Sequence, residues 1–192
     1  MPSLIKDVLK FYNMEITIDT DQPDRKSRKN IIVRNGIIFV FILIIILLIT
    51  HMFRDKMMEY TNTIAWIEYA MLLVAIIITQ IQLRENVYGG KMLYGQAMGS
   101  GMLFVVLVTL AFSIFTLLFY LFIGPEILGE MEQIAENTLR EQGKSEKEVE
   151  MAMAFSSRIF TPVGMFVLVI VGYLFVGAIM SAIASIFTQR SR

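Results

Sequence analysis

The sequence contains no cysteine and only one histidine among its 192 residues. The absence of cysteine excludes disulfides, iron–sulfur clusters and thiol catalysis. The single histidine, His51, leaves no second imidazole for a zinc site, and the chain has neither an HExxH pattern nor a P-loop. We therefore expect no catalytic residues, no metal site and no cofactor, and we expect that the protein is not an enzyme.

The chain also lacks an excess of charge of either sign. It carries 17 basic and 17 acidic side chains, so its formal net charge is zero. Nucleic-acid-binding proteins usually carry a strong basic patch, and no bulk basicity is present here. We expect no nucleic-acid partner, and the informative quantity is the distribution of charge along the chain.

Apolar residues are what the chain has in abundance. They make up 56% of the sequence, compared with about 45–50% in soluble domains. Most of them fall in four stretches, at about 36–53, 63–83, 102–123 and 163–187. A helix of about 20 residues crosses a ~30 Å hydrocarbon core, and a helix satisfies its own backbone polar groups there. The sequence predicts an all-α polytopic membrane protein, with four transmembrane helices in a domain at 31–192 whose surroundings are the lipid bilayer.

Basic residues are divided unequally between the two sides of the predicted bilayer. If the N-terminus is cytoplasmic, that side receives eleven of the 17 Lys and Arg residues, including Arg25-Lys26-Ser27-Arg28-Lys29 just before the first span. Cytoplasmic flanks carry the excess of Lys and Arg, and such a cluster is attracted to an anionic leaflet. We therefore expect a multi-pass protein with both termini cytoplasmic.

Residues 1–30 are predicted to form a cytoplasmic segment before the membrane domain. Apolar residues recur at helical spacing between Leu4 and Tyr12, which is typical of a short helix in the membrane interface. A polar linker follows, up to Asp24. The interfacial helix either holds the chain on the membrane surface or docks a cytoplasmic partner.

Two amphipathic helices are predicted between the third and fourth spans. Gly124-Pro125-Glu126 is a helix start, because proline is pre-organised for the first helical position and the glutamate complements the helix dipole. Gly143 suits a left-handed cap, and Ser145-Glu146-Lys147-Glu148 matches a capping box. We expect an amphipathic helical hairpin over residues 125–160, on the extracytoplasmic side.

The predicted hairpin has one apolar face. It includes Ile127, Met131, Leu139 and Met153, and the second helix is expected to turn Phe155 inward as well. The segment has eight glutamates and four basic residues, which alternate along solvated faces and do not converge as metal ligands would. Three roles remain open for the apolar face: it packs within the protein, it lies on the membrane surface, or it binds another protein.

Glu68 is the one acidic residue inside a predicted span. It lies about one turn from Thr63 and close to Trp66 and Tyr69, which favours a position near the outer interface. Three interpretations remain open for its carboxylate: it reaches water, it handles a proton or cation within the membrane, or it pairs with another helix.

Small residues mark one face of the fourth span. Gly177, Ser181 and Ser185 recur every four residues, and Gly172 extends this face toward the outer end. Small residues at this spacing allow two helix backbones to approach closely. The face either packs against the third span of the same chain or forms an interface with a second copy or another membrane protein.

The order of features from Gly90 to the C-terminus resembles that of a known family. These features are the glycines before the third span, Gly124-Pro125-Glu126, the acidic helix, Gln142-Gly143-Lys144-Ser145-Glu146, Thr161-Pro162 and Gln189-Arg190. The order resembles an uncharacterised four-span membrane family of Gram-negative bacteria, domain of unknown function 4199. The resemblance implies a bacterial inner (cytoplasmic) membrane protein and supplies no catalytic residues.

Two functions fit these features. The first is a non-catalytic inner-membrane subunit or adaptor, whose small-residue face, outer hairpin and cytoplasmic segment associate with a membrane-protein partner or a second copy. The second is a component of a small oligomeric transporter or channel, in which several copies surround a path. A monomer with no central charge and no broken helix is a poor transporter, so the adaptor is the preferred hypothesis.

Overall fold

The computed structural model describes residues 25–54 and 60–190. Within these ranges the chain forms the helices α1 (Arg25–Met52), α2 (Thr61–Asn86), α3 (Tyr94–Phe122), α4 (Glu126–Glu141), α5 (Glu146–Ile159) and α6 (Pro162–Thr188). Four of them, α1, α2, α3 and α6, are long and apolar enough to cross a membrane. The prediction of an all-α fold with four such helices is confirmed. The predicted interfacial helix and the linker up to Asp24 lie outside the described residues.

The four long helices pack together and alternate in direction along the chain. α3 and α6 form the most extensive contact, while α1 packs against α3 and α2 packs against α6. A hydrogen bond joins Asn35, near the start of α1, to Thr79, near the end of α2. The backbones of Met92 and Arg190 pair in an antiparallel bridge, which brings the start of α3 beside the end of α6. The pairs α1–α2 and α3–α6 are therefore antiparallel, whereas α2 and α6 run in the same direction, as the contacts of Gln80 with Ser185 and of Glu68 with Tyr173 show.

The two ends of the bundle differ in charge. One end carries the basic cluster at the start of α1 together with Arg34, Arg84, Lys91 and Arg190, and is called the basic end. The other end carries α4 and α5 with their eight glutamates, and is called the acidic end.

The core of the bundle is apolar, and so is most of its outer surface. Leu43, Leu72, Ile76, Phe104 and Val108 are at most 1% exposed. Large apolar side chains nevertheless cover the outward faces, among them Phe41, Leu110, Phe122, Phe175 and Phe187. An apolar surface of this extent requires apolar surroundings. The helices therefore suggest a multi-pass membrane protein.

Two of the long helices begin before the apolar stretches that the sequence marks. α1 begins at Arg25, although its apolar stretch begins at about Gly36, and α3 begins at Tyr94. Arg and Lys are good helix formers. At the start of α3, the Leu93 N–H donates to the Gln96 side chain at 2.9 Å. A helix can continue past the apolar stretch because its backbone hydrogen bonds are made within the helix itself.

The end of α4 has the geometry that the sequence predicted. Gly143 has a φ of +73°, in the left-handed region that favours glycine. The N–H groups of Gly143 and Lys144 donate to the carbonyls of Arg140 and Leu139 at 3.0 and 3.3 Å, which is a Schellman motif. The predicted left-handed cap is confirmed.

The start of α5 has the predicted capping box. The Ser145 N–H donates to Glu148 Oε2 at 2.9 Å, and the Ser145 hydroxyl accepts from the Glu148 N–H at 3.4 Å. Ser145 is the residue that precedes the helix. The capping-box prediction is confirmed, and it fixes where the chain turns from α4 into α5.

Candidate functional site

Three of the small residues predicted on the fourth span lie in the contact between α3 and α6. Gly177 faces a valine of α3, and Ser181 faces Gly101, so closely that a Cβ on either glycine would overlap the facing side chain. Ser185 is buried one turn further along α6. Gly172 is exposed, and no neighbouring atom lies within 4 Å of the place its Cβ would take. The close backbone approach is therefore made within one chain, and Gly172 lies outside it.

A buried amide, Gln80 of α2, organises the same contact at the basic end. Its Nε2 donates to the Ala97 carbonyl at 3.0 Å and to the Ser185 hydroxyl at 3.1 Å, and its Oε1 accepts from the Thr188 hydroxyl at 2.7 Å. Gln80, Ser181, Ser185 and Thr188 are at most 1% exposed and are called the Gln80 cluster. The cluster joins α2, α3 and α6. An interhelical hydrogen bond in a membrane protein contributes about 0.6 kcal/mol on average and at most about 1.7 kcal/mol.

Arg84 lies beside the Gln80 cluster and holds α2 to α6. Its Nη1 donates to the Thr188 carbonyl at 3.1 Å, which lies in the last turn of α6. Its Nε forms an ion pair with Glu85 at 2.8 Å. A cation at the C-terminal turn of a helix also complements the helix dipole. Arg84 therefore joins α2 to the last turn of α6 at the basic end.

Glu68 lies between α2 and α6 and contacts a tyrosine of the last span. The Tyr173 hydroxyl donates to Glu68 Oε2 at 3.4 Å. The Tyr173 ring also packs against Phe112, with the ring centres 5.6 Å apart. Among the described residues, no cluster of His, Asp or Glu side chains could hold a metal ion. The geometry brings Glu68 to another helix, which is one of the three interpretations that the sequence left open.

α4 lies across the acidic end with its apolar side against the bundle. Leu128 is buried with Phe119, Tyr120 and Met165, and Ile127 and Met131 of the predicted apolar face pack against this group. Leu139 and Met153, the other predicted members of the face, are half-buried. These contacts hold α4 to the ends of α3 and α6.

An ion pair fixes α4 to the end of α1. Arg54 Nη1 lies 3.2 Å from Glu130 Oε1 and 3.8 Å from Glu126 Oε1. Beside it, a cavity of about 500 Å³ opens between α1, α3 and α4, with His51 and Tyr120 in its wall. The His51 Nδ1 atom is buried and has no hydrogen-bond partner among the described residues. The His51 ring packs edge-on against Phe119, with the ring centres 5.3 Å apart.

Among the described helices, α5 has the largest share of exposed residues. Val149 is buried, but Met151 and Phe155 are 59% and 68% exposed. The prediction that Phe155 turns inward is wrong. The helix contacts α4 and the start of α6 rather than the long helices' shared core, so only a narrow stripe of it is covered. Met151 and Phe155 form an uncovered apolar surface, called the α5 face.

Sequence reasoning missed two features that the structure brings together. The hydrogen bonds of Gln80 to α3 and α6 were not predicted. Neither were the contacts of Arg34 and Asn35 with Gln82 of α2. The available signal was the position of the amides, since Gln80 and Gln82 occur within an otherwise apolar stretch. Polar groups at such depth need partners, which favours interhelical hydrogen bonds.

The fold defines a class: an all-α chain with four long apolar helices that could span a membrane and two short amphipathic helices before the last of them. Residues 34–190 match the family described as Protein of unknown function (DUF4199). Because the match covers most of the chain, the protein belongs to this family, and the resemblance predicted from the sequence is confirmed. The match includes the first two spans as well as the segment from Gly90 onward. No curated protein and no solved structure matches the chain.

Proposed function

We propose that this protein is a non-catalytic subunit or adaptor of the bacterial inner membrane that associates with another membrane protein through the α5 face. The observation that carries the proposal is the exposure of Met151 and Phe155 on a helix that lies at the end of the bundle. Exposed aromatic and Met side chains in a small patch are typical of protein contact surfaces.

Contacts elsewhere in the molecule hold the α5 face in a fixed position. The Gln80 cluster and the α3–α6 contact join the long helices, and the Arg54–Glu130 ion pair fixes α4 to α1. The Schellman motif and the capping box then set the direction of α5 relative to α4. A surface held in this way loses little conformational freedom on binding, which favours association.

Phe155→Ala tests the proposal against a matched control. A hot-spot residue of a protein interface costs more than 1 kcal/mol of binding when it is truncated. We expect Phe155 to be such a residue, so the protein that co-purifies with the chain, its companion, should be depleted at least about fivefold after mild-detergent extraction. Phe175→Ala is the control. Phe175 and Phe155 are almost equally exposed, at 69% and 68%, but Phe175 lies in the middle of α6. Companion proteins are identified and quantified by mass spectrometry after co-purification.

The two variants separate docking from general damage. Loss of the same companion with both changes, or retention with both, contradicts a role for the α5 face. If no companion co-purifies with the unaltered protein either, the proposal that the protein is an adaptor is contradicted. Insertion of both variants is checked by their amount in the membrane fraction.

The proposed orientation has the basic end in the cytoplasm. It is supported by the Lys and Arg residues at the basic end, since cytoplasmic flanks carry the excess of basic residues. In this orientation both termini are cytoplasmic, and α4 and α5 are the extracytoplasmic helical hairpin.

The second function, a component of a small oligomeric transporter or channel, is favoured by one observation. The carboxyl group of Glu68 lies within a span and contacts Tyr173 of another helix. Ionisable groups within spans often mark transport paths. In this alternative, Glu68→Gln abolishes ion flux into vesicles and leaves companion proteins in place, the opposite of the result expected for Phe155→Ala.

A further inference from the structure

A groove of about 630 Å³ runs between α1 and α2 on the lipid-facing side of the bundle. Its walls are apolar along most of its length, with Ile38 and Ile42 on α1 and Val74 and Ile78 on α2. Two alanines of α2, Ala70 and Ala75, keep the groove open because their side chains are small. The groove is long enough for an acyl chain, since its α2 wall from residue 67 to residue 82 spans about 22 Å at ~1.5 Å per residue, and one leaflet is about 15 Å thick.

The groove ends in a polar cluster at the basic end. Arg34 Nη2 donates to Gln82 Oε1 at 2.9 Å, and Asn35 Nδ2 donates to the same oxygen at 3.0 Å. Asn35 Nδ2 also donates to the Thr79 hydroxyl at 3.1 Å, and Arg34 Nε lies 3.4 Å from Asn35 Oδ1. These partners of Arg34 are neutral. Within the described ranges, Arg34 forms no ion pair with a carboxylate.

We propose that this groove binds an anionic phospholipid, with the lipid phosphate at Arg34 and one acyl chain between α1 and α2. A guanidinium has five N–H donors in a planar fork that matches a phosphate. Neutral partners orient the Arg34 fork without cancelling its charge, so the positive charge remains to be matched. The basic cluster at the start of α1 raises the local concentration of anionic lipid further.

The charge of the groove end favours a lipid over a second copy of the chain. All copies of a membrane protein share one orientation, so a second copy in this groove brings its own basic end beside Arg34. Like charges at this distance repel. An anionic lipid supplies the opposite charge and an apolar chain in one molecule, and it is abundant in the bilayer around the groove.

Tryptophan quenching by brominated lipids measures which lipid occupies the groove. Trp66 is the single native tryptophan, and it is replaced in the double variant Trp66→Phe/Ile78→Trp, called the groove reporter. The matched control is Trp66→Phe/Ile179→Trp, called the outside reporter. Ile78 and Ile179 are 47% and 46% exposed, but Ile179 lies outside the groove.

The full chain carrying each reporter is placed in vesicles of equal amounts of phosphatidylglycerol and phosphatidylcholine, with bromine on the chains of one lipid or the other. We expect brominated phosphatidylglycerol to quench the groove reporter more than brominated phosphatidylcholine does. The ratio of the two lipids' binding constants should be roughly fivefold, because one basic residue at the membrane surface contributes roughly 1 kcal/mol. We expect the outside reporter to show a ratio near one.

The Arg34→Gln change tests the cause of the preference. We expect it to reduce the ratio of the groove reporter to near one, whereas Lys91→Gln, a charge removal at the basic end but outside the groove, leaves the ratio unchanged. Unaltered quenching of the outside reporter by both brominated lipids shows that the Arg34→Gln protein remains inserted.

Three results overturn the proposal. Equal quenching of the groove reporter by both lipids excludes selection of an anionic lipid. A preference that survives Arg34→Gln excludes the assigned phosphate position. Protection of the groove reporter from both lipids means that a second copy or residues 1–24 of the chain fill the groove instead.

Discussion

At the residue scale, two amides of α2 that are only two positions apart serve different contacts. Gln80 points into the bundle, where all its bonds are to α3 and α6. Gln82 lies on the α1 side, where it accepts from Arg34 and Asn35. Positions i and i+2 lie on different faces of a helix. One short polar segment therefore connects α2 to all three of the other long helices.

Glu148 is a residue whose ionisation should depend on one hydrogen-bond partner. Its carboxylate accepts from the backbone N–H and the hydroxyl of Ser145, and these bonds, with the nearby Lys144 charge, hold the pKa of Glu148 below its ordinary value. A lowered carboxyl pKa means that the cap is stabilised above the ordinary pKa and that this stabilisation is lost as the pH falls through the lowered pKa.

We expect Ser145→Ala to raise the pKa of Glu148 toward its ordinary value, because the hydroxyl donor is removed. The measurement is the pH titration of the Glu148 carboxyl carbon by NMR in detergent micelles. Ser157→Ala is the control, since its hydroxyl bonds the Ala154 carbonyl at the other end of α5. A Glu148 titration that does not move in the Ser145 variant contradicts the assigned cause.

At the scale of elements, the contact between α3 and α6 depends on how close the two backbones come. Gly101 and Gly177 face side chains of the other helix at distances that leave no room for a Cβ. Helix association in a membrane relies on such close packing, because lipid is as apolar as the helices themselves. The glycines are therefore packing residues of a contact within the chain.

We expect Gly177→Ala to destabilise the bundle by about 1–3 kcal/mol, because the added methyl group forces α3 and α6 apart or into strained rotamers. Gly172→Ala in the same helix has open space around it, so we expect no loss and a gain of up to about 1 kcal/mol from helix propensity. The measurement is unfolding in mixed micelles with increasing dodecyl sulfate. Equal effects of the two changes contradict this account.

At the scale of the whole molecule, the separation of basic and acidic ends should determine how the protein sits in the membrane. The chain has no cysteine, so one engineered thiol reports the side of a chosen position. Lys144→Cys lies between α4 and α5, and Lys26→Cys lies near the start of α1. In intact spheroplasts, we expect an impermeant thiol reagent to label the first and not the second.

Neutralising the basic cluster should weaken this orientation. With Arg25, Lys26, Arg28 and Lys29 changed to Gln, we expect a substantial fraction of Lys144→Cys molecules to become inaccessible, since each basic residue contributes roughly 1 kcal/mol at the anionic leaflet. Changing Arg140, Lys147 and Arg158 to Gln is the control and should leave labelling intact. Labelling of Lys26→Cys alone in the unaltered background means that the orientation is reversed.

Much of the fold was predictable because its signals are local in the chain. The four apolar stretches predicted the long helices, and Gly143 and Ser145 predicted how α4 ends and α5 begins. A cap is formed by residues within one turn of each other, so the chain itself carries the information. The exact starts of α1 and α3 were not predictable, because the helices extend past the apolar stretches that marked them.

The candidate sites were less predictable because they depend on how each helix is rotated. Small residues marked one face of the fourth span, but a span that is apolar all round does not show which of them meet another helix. The sequence analysis therefore did not separate Gly177, which faces α3, from Gly172, which is exposed. The same reason hid the partners of Gln80 and the groove beside Arg34. Phe155 was placed inward from its spacing, but α5 has too few neighbours to cover it.

The sequence by itself determined the class of protein, the four long apolar helices and the local turns between the short ones, because composition and short-range hydrogen bonds decide those features. Only the tertiary structure decided which polar side chains meet, such as Gln80 with Ser185 and Arg34 with Gln82, residues that lie far apart in the chain. These contacts depend on the distance and rotation of packed helices, and helix packing is set by the shapes of all the facing side chains together.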